Sequence, residues 1–398
     1  MSGTFSEDVA IVGGCGHVGL PLGIAFAREG LRTALYDFDS DAVGVVNAGV
    51  MPFREQDAQP ELEAALINGT LVATTDVTRV GRAENVVIVI GTPVNQYLNP
   101  DLTAVRDAVG DILPHLRDRQ LVVLRSTVFP GVTEVVERLI DEAGLDIDVG
   151  FCPERIAEGH ALRELRELPQ IIAGCSPRAE ERATLLFKNL TDKMVYLEPR
   201  EAEVAKLMTN TWRYIKFATA NQLYMLANDF GLDYEKIRSA VVEDYPRAAD
   251  LPKAGFAAGP CLLKDTMQLS AFNNNDFTMG QAAMNINEGL PLYVVSQLNK
   301  QHDLSDKTVG ILGMAFKGDS DDGRWSLSYK LRRILEFHAA EVVCTDPYVA
   351  DDILIPLDDV LARADLIVIG APHSQYRGLE IDQPVADVWG ILGRGVRV

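Results

Sequence analysis

The segment Gly255-Phe256-Ala257-Ala258-Gly259-Pro260-Cys261-Leu262-Leu263-Lys264-Asp265 sets small residues, which let backbone approach a ligand, before a thiol, an ammonium and a carboxylate. A neighbouring cation raises the thiolate fraction, and the thiolate is the nucleophile. A small buried hydrophobe in a turn is the ordinary alternative, and it is the reading given to Cys15, Cys152, Cys175 and Cys344. Lys206 and Asn210 stand four residues apart, hence on one helix face, with Arg213 a turn further. That spacing suits a solvated stripe as well as two donors aimed at one group. Near the N-terminus, Gly14, Gly16 and Gly19 fall where a tight turn, close approach to a pyrophosphate and helix-to-strand packing each call for a missing side chain. Asp37 lies 18 residues past Gly19, placed to accept hydrogen bonds from both ribose hydroxyls and to repel a 2′-phosphate. The cofactor expected is NAD rather than NADP, with FAD as the competitor.

These residues need elements to hold them. An apolar run from Asp8 to Gly13, a glycine turn, a helical stretch to about Glu29 and a second apolar run from Arg32 to Tyr36 read as strand, turn, helix, strand. Buried-strand patterns recur at Val86 to Ile90, Leu121 to Leu124 and Ile147 to Phe151, between helical patterns at Leu102 to Leu116 and Val132 to Ala143. Such alternation implies a parallel sheet with helices on both faces. From Arg200 to Phe230 apolar residues keep helical spacing without Gly or Pro, which predicts one long helix. Helical patterns follow at Tyr234 to Val242 and Met279 to Gln301, interrupted by the Pro/Gly-containing segment from Tyr245 to Asp265. Alternation then resumes with strands at Thr308 to Leu312, Glu341 to Cys344 and Leu366 to Ile369 and a helix at Leu327 to His338. The expected fold is α/β: two Rossmann-like doubly wound parallel-sheet domains, 1–197 and 301–398, joined by a helical domain, 198–300. Both α/β domains open alike, VAIVGG and VGILGM, and each second strand ends in an acid, Asp37 and Asp346. The second lacks the glycine motif, so if both hold nucleotides the nucleotides differ.

Composition removes other classes. The chain has 57 acidic against 37 basic residues and a formal charge of −20, which disfavours a general affinity for nucleic acid or anionic membrane. Five single cysteines with no C-x-x-C pair, and no His cluster at ligand spacing, make disulfides and bound metal unexpected. The start, MSGTFSEDVAIVGG, lacks a basic stretch followed by a long apolar one, and no apolar run approaches about 18 residues, so a cytoplasmic protein without membrane association is expected.

Seven motifs occur in order: GxGxxGLPL from Gly14, GTP from Gly91, STVFPG from Ser126, CPERIAEG from Cys152, KLMTNTWR from Lys206, GPCLLKD from Gly259 and GMAFKGDSDDGRWS from Gly313. Together they resemble the UDP-glucose/UDP-N-acetylmannosamine dehydrogenase family of nucleotide-sugar 6-dehydrogenases over nearly the whole chain. The resemblance implies oxidation of a UDP-hexose primary alcohol to a carboxylate with two NAD+ per turnover. In that scheme Cys261 captures the intermediate aldehyde, Lys206 and Asn210 stabilise the reacting oxygen, and Asp265 works with a water and Thr127 in proton transfer. Glu154 matches a glutamate of the thioester stage, and Glu158 a second glutamate near sugar and cofactor. Glu158 pairing with Arg155 or Arg163 on a surface turn is the plain alternative. The resemblance further assigns Gly14, Gly16, His17, Val18, Gly19, Asp37, Thr92, Pro93, Thr127, Glu158, Lys264 and Arg324 to the cofactor. To the UDP-sugar it assigns Glu154, Arg155, Ile156, Lys206, Asn210, Arg247, Phe256, Gly259, Phe316 and Lys317, with Arg324 also near the UDP and the stretch Val385 to Gly390 closing the uracil side. An arginine at the place of Arg247 reaches across a subunit interface in the family, which implies a homodimer or higher homo-oligomer built through the long helix.

The sugar is argued from CPER, EGHALRELRELPQIIAG and YPRAADLP, which look like the UDP-N-acetylhexosamine branch, with UDP-N-acetyl-D-mannosamine first. Lys264-Asp265 after the cysteine is instead as in the glucose enzymes, and Gly323, Trp325 and Leu327 depart from the family's usual residues, which leaves UDP-glucose and UDP-N-acetylglucosamine open. Two readings of other classes compete. A two-electron hydroxyacid dehydrogenase would use a lysine and an asparagine on a long helix but need neither a thiol nor a further α/β domain. A binding-only relative would have lost residues such as Cys261, Lys206, Asn210, Asp265 and Thr127, all of which are present.

Overall fold

The computed structural model describes residues 5–92 and 103–398, and divides into two compact units, Met1–Thr209 and Asn210–Val398. In the first unit the order is β1 (Glu7–Val12), α1 (Gly19–Arg28), β2 (Thr33–Tyr36), α2 (Ser40–Asn47), α3 (Ala58–Ile67), β3 (Leu71–Thr74), β4 (Ala83–Ile88), α4 (Ala104–Ile112), β5 (Leu121–Leu124), α5 (Val132–Glu142), β6 (Asp148–Phe151), α6 (Ala161–Glu167), β7 (Gln170–Gly174), α7 (Pro177–Phe187) and β8 (Met194–Tyr196). Eight strands form one sheet in the order β3-β2-β1-β4-β5-β6-β7-β8. Period-2 alternation divides its core: Val87 and Val123 pack with Leu20, Phe26 and Phe187 on one face, while Val86, Ile88, Val122 and Leu124 pack with Val109 and Val136 on the other. Burial on both faces is why these strands read as unbroken apolar runs. The sheet is parallel except where β7 runs antiparallel to β6. That exception departs from the wholly parallel sheet expected: the short link through α6 is no crossover, and it turns the chain back along the edge of β6.

The long helix α8 (Pro199–Asp229) is continuous, and the boundary between the units falls within it. The second unit continues with α9 (Tyr234–Val242), α10 (Leu262–Phe272), α11 (Thr278–His302), β9 (Thr308–Leu312), α12 (Leu327–Leu335), β10 (Glu341–Thr345), α13 (Leu357–Arg363), β11 (Leu366–Ile369) and β12 (Val385–Ala386). Its four strands are all parallel, in the order β10-β9-β11-β12. Ser326 caps α12 by accepting from the Ser328 N–H. On the part of α8 in this unit Trp212, Leu223 and Leu226 are exposed, and so is Phe230 just past its end. Among the described residues, no helix is long and apolar enough to cross a membrane.

Candidate active site

In the first unit the strand order reverses between β1 and β4, and the glycine turn lies at the carboxyl end of β1, where open α/β sheets take their ligands. The three glycines serve different ends. A Cβ on Gly14 would lie 2.7 Å from Leu35 Cα, and one on Gly19 would lie 2.3 Å from the Gly13 oxygen, so both positions are forced by packing. A Cβ on Gly16 would meet only the Gly13 oxygen at 3.8 Å, so nothing in the protein itself demands glycine there. Room left at an exposed backbone turn fits the approach of a pyrophosphate. The α1 N-terminus has neither a side-chain cap nor an acid in its first turn; the Leu20 N–H is taken by the Gly16 carbonyl and Pro21 has none, so the positive end of the helix with the N–H groups just before Leu20 is what faces phosphate oxygens. Asp37 accepts the Cys15 N–H at 3.0 Å through Oδ2 and the Asp39 N–H at 3.2 Å through Oδ1, which leaves each oxygen a lone pair for a ribose hydroxyl. These residues fit NAD.

Three loops gather at this carboxyl edge. The His17 ring stacks on Phe53 with centroids 4.1 Å apart, and Glu55 accepts the N–H groups of Gly159 and Ala161 at 2.8 and 2.7 Å. The segment after α2 is thereby tied to the Glu158 loop, a link without any sequence signal beyond an acid in a polar stretch. Thr92 is buried and Pro93 lies outside the described residues. Thr127 is half-buried just past β5, preceded by Arg125, which is buried and was not singled out in the sequence. Arg125 grips Glu154, whose Oε1 also accepts the Arg155 and Ile156 N–H groups at 2.6 and 2.8 Å. Glu158 and Val18 are half-buried; Arg155 donates to the Pro169 carbonyl and Arg163 lies 3.7 Å from Glu167. Buried Lys206 is carried by α8 one turn before Asn210. The start of α8 is fixed by buried Glu203, which accepts the Gly131 and Thr133 N–H groups at 2.6 and 2.8 Å and the Thr133 hydroxyl at 2.6 Å. Burial pushes the Glu203 carboxyl up from the usual range despite those hydrogen bonds.

In the second unit Cys261 is exposed, outside any disulfide, at the N-cap of α10. The helix start was hidden in the sequence by the Gly-Pro pair before it, although Leu262, Thr266 and Leu269 keep helical spacing. The partial positive charge of a helix N-terminus favours a thiolate. One turn on, buried Asp265 accepts from Asn210 Nδ2 at 2.6 Å through Oδ2, while its Oδ1 has no hydrogen-bond partner among the described residues and lies 3.6 Å from Lys264 Nζ. The ammonium foreseen beside the thiol thus shares its charge with this carboxylate. The other four cysteines differ: burial pushes Cys15, Cys152, Cys175 and Cys344 up to about 12, which leaves them protonated.

The wall before the thiol is set by close approach. Asn221 of α8 donates to the Gly255 carbonyl at 3.0 Å and accepts its N–H at 2.9 Å, and a Cβ on Gly255 would lie 2.2 Å from the Trp389 ring. Phe256 meets Trp389 edge-on at 6.4 Å. A Cβ on Gly259, where φ is +104°, would lie 2.6 Å from the Phe316 ring, and Lys317 Nζ sits 5.5 Å above that ring. Arg324 makes a two-oxygen fork to Asp322 at 2.7–3.0 Å, and exposed Arg247 donates to the Tyr245 hydroxyl at 2.9 Å. Asp346, unlike Asp37, has no capacity left. It accepts four backbone N–H groups, from Met314, Ala315, Tyr348 and Val349, and lies 2.9 Å from His373 Nε2. The Asp319 N–H donates to His373 Nδ1 at 2.9 Å, so the ring hydrogen is on Nε2 and points at Asp346. The second domain therefore offers no ribose-binding acid at the end of its second strand.

A doubly wound sheet with a glycine turn at the end of its first strand and an acid at the end of its second is the architecture of a dinucleotide-dependent oxidoreductase. Sequence models of the UDP-glucose/GDP-mannose dehydrogenase family match in succession: its NAD binding domain over residues 7–191, its central domain over 200–289 and its UDP binding domain over 310–394. The chain belongs to that family and is an NAD-dependent nucleotide-sugar dehydrogenase. A relative from Pyrococcus horikoshii named UDP-N-acetyl-D-mannosamine dehydrogenase is 30% identical, with 96% of this chain and 92% of the relative covered. A solved UDP-N-acetylmannosamine dehydrogenase structure from that organism superposes with a TM-score of 0.91 at 28% identity, covering 98% of this chain and 97% of the other. A UDP-glucose dehydrogenase from Pyrobaculum islandicum gives 0.90 at 28%, covering 98% and 96%. Membership sets aside both the hydroxyacid dehydrogenase and the binding-only relative.

Proposed function

We propose that the chain oxidises the C6 hydroxyl of a UDP-hexose to a carboxylate in two successive two-electron steps, with UDP-N-acetyl-D-mannosamine as substrate. The observation that carries the reading is the exposed Cys261 thiol at the start of α10, one turn before a buried Asp265 bonded to Asn210. The mannosamine assignment rests on the CPER and YPRAADLP segments and on the name of the Pyrococcus horikoshii relative.

NAD+, when bound, would supply the two-electron oxidant for each step. Gly14, Gly16, His17, Val18, Gly19, Asp37, Thr92 and Pro93 hold it, with Glu158, Lys264 and Arg324 also assigned there. The chain's own chemistry is retention of the half-oxidised sugar. The Cys261 sulfur forms a bond to the aldehyde carbon while a proton reaches the carbonyl oxygen, giving a thiohemiacetal. Oxidation converts this adduct to a thioester. Water then attacks the acyl carbon, the carbon–sulfur bond breaks, and the thiol and the acid are released. Lys206 and Asn210 stabilise negative charge on the reacting oxygen, and Asp265 with Thr127 moves protons. Glu154 acts at the thioester stage in the manner its hydrogen bonds allow. Arg155, Ile156, Arg247, Phe256, Gly259, Phe316 and Lys317 take the sugar and the UDP, for whose pyrophosphate guanidinium and ammonium groups are suited. The division into 1–197, 198–300 and 301–398 is the functional division of this scheme. The exposed apolar stripe of α8 supports a homodimer formed through that helix.

The test is purified protein with NAD+ and, separately, UDP-glucose, UDP-N-acetylglucosamine and UDP-N-acetylmannosamine, with NADH followed by absorbance and product by mass. About two NADH per acid are expected, with the highest kcat/KM for the mannosamine. One NADH per sugar with free aldehyde refutes the thiol reading, and a higher kcat/KM for another sugar reassigns the substrate.

A further inference from the structure

We propose that Glu203 is a positioning residue for the oxidation, holding the loop that carries Thr127 against the stretch of α8 that carries Lys206. The inference rests on the reading above, which gives those two residues their parts in catalysis. Glu203 is 1% exposed and stands one turn before Lys206 on α8. Its Oε2 accepts the Gly131 N–H at 2.6 Å, and its Oε1 accepts the Thr133 N–H at 2.8 Å and the Thr133 hydroxyl at 2.6 Å. Gly131 is the N-cap of α5 and has no side chain to offer, so the cap is delivered from a different helix, 70 residues beyond Thr133. The other end of the loop is fixed as well. The Ser126 hydroxyl oxygen accepts the Ile90 N–H at 2.8 Å, and the Ser126 N–H donates to the Ile88 carbonyl at 3.3 Å. Thr127 to Pro130 are thus strung between the end of β4 and the side of α8.

A serine or aspartate at 131 would be the local way to cap α5, but φ there is +104°, a conformation that glycine takes without strain. The turn into α5 therefore excludes the local cap. A buried carboxylate is a costly substitute, because among the described residues no cation pairs with it: Arg200, on the same helix, pairs instead with exposed Glu134 at 2.7 Å. What the substitute achieves is geometric. Three hydrogen bonds to one carboxylate fix the start of α5 against α8, and Lys206, itself buried, follows on the same helix face. The two helices hold together without it, since Val136 of α5 and Ala202 of α8 lie in one apolar cluster. Glutamine at 203 keeps one acceptor oxygen for Thr133 but turns its amide N–H groups towards the Gly131 N–H, so the bond nearest the loop is lost. The loop is then free to shift relative to Lys206, and a misplacement of about 1 Å costs on the order of a hundredfold in rate.

The experiment compares wild type, Glu203→Gln and Arg200→Ala for kcat and for KM toward NAD+ and the UDP-hexose, and repeats Glu203→Gln on a background carrying Thr127→Ala and Lys206→Ala. Glu203→Gln is expected to lower kcat between about tenfold and a hundredfold, with either KM changed less than about threefold. Arg200→Ala breaks only the exposed pair between the same helices and should keep kcat within about twofold. On the doubly substituted background Glu203→Gln should change the residual rate by less than about twofold, because nothing is left to position. The same fold loss on both backgrounds would overturn the proposal, as would a rise in KM at unchanged kcat. Should Glu203→Gln not fold, Thr133→Val removes one of the three donors and should lower kcat about threefold; an unchanged kcat overturns the proposal. Amide hydrogen exchange on the wild type gives a further check: the Gly131 and Thr133 N–H groups, at a helix start without intrahelical acceptors, must be protected before any nucleotide is added. Exchange at the unprotected rate overturns the clamp. The NADH-to-acid ratio scores the underlying reading separately: one NADH per sugar in the wild type sinks the thiol scheme and leaves the kcat comparisons to judge Glu203.

Discussion

Asp346→Asn should unfold the second unit at a markedly lower temperature. The carboxylate Oδ2 accepts from Met314 at 2.6 Å, Ala315 at 3.0 Å and His373, and Oδ1 accepts from Tyr348 at 2.8 Å and Val349 at 2.9 Å. An asparagine keeps one acceptor oxygen, so its amide nitrogen must face at least the two donors of Tyr348 and Val349. Two charge-assisted hydrogen bonds lost, at about 1.5–3 kcal/mol each, give about 3–6 kcal/mol. A second route gives a lower figure. Burial pushes the Asp346 carboxyl up, but hydrogen bonds from His373 and from the backbone outweigh it and bring the group from 3.8 down to about 2, which corresponds to about 2 kcal/mol. The larger figure is the one that applies to the variant, because protonation leaves an oxygen at both sites and asparagine does not. Over a unit of this size about 2–4 °C is lost per kcal/mol, so calorimetry should find a drop of roughly 6–24 °C. Because the folded-state pKa is depressed, the wild type should also lose this stability as pH falls from about 4 to about 2, and the variant should lack that component. A shift below about 2 °C, or an unchanged acid limb, would refute the assignment of Asp346 as the hub of three loops.

The glycine turn gives a paired outcome: Gly19→Ala should cost about 1–3 kcal/mol by overpacking, whereas Gly16→Ala should melt with wild type but bind NAD+ on the order of tenfold more weakly by titration calorimetry. Asp37→Ala should narrow the preference for NAD+ over NADP+, read as the ratio of the two kcat/KM values, and an unchanged ratio would remove Asp37 from the ribose. Trp212→Glu with Leu226→Glu should halve the mass seen by light scattering at unchanged helix content; an unaltered mass would exclude the α8 stripe as the interface. Cys261→Ala should stop net conversion to acid, and acid formation at the wild-type rate would end the thiol scheme.

What was legible in the sequence is what periodicity and local chemistry control. The unbroken apolar runs of Val86 to Ile90 and Leu121 to Leu124 reported strands buried on both faces, and a Gly/Pro-free run of about 30 residues reported α8, because each signal is carried within one element. Short or edge elements were missed. The edge strand β8 carries too few residues to set a period, the apolar run of β7 is cut to three residues between Gln170 and Gly174, and the start of α10 is masked by the Gly-Pro pair that precedes Cys261. Residues that act on distant partners were also invisible: Arg125, Glu55, Asn221 and His373 are separated from their partners by 27 to 106 residues, and nothing local marks them.

Asp37 and Asp346 show why the candidate site needs coordinates even where the motif is right. Both acids close the second strand of a Rossmann-like unit, and the sequence gives them the same standing. Around Asp37 the glycine turn supplies one N–H to the carboxylate and the following residues one more, so half its acceptor capacity faces outward. At Asp346 the turn after β9 supplies two N–H groups, the turn after β10 two more, and His373 arrives from the turn after β11. The same carboxylate is thus a ligand-binding group in one sheet and a structural rivet in the other. The difference lies in a buried histidine 27 residues away, whose own orientation is dictated by the Asp319 N–H. Capacity left over, rather than position on the strand, is what marks a carboxylate for a cofactor, and by that measure Asp37 is available while Asp346 is spent.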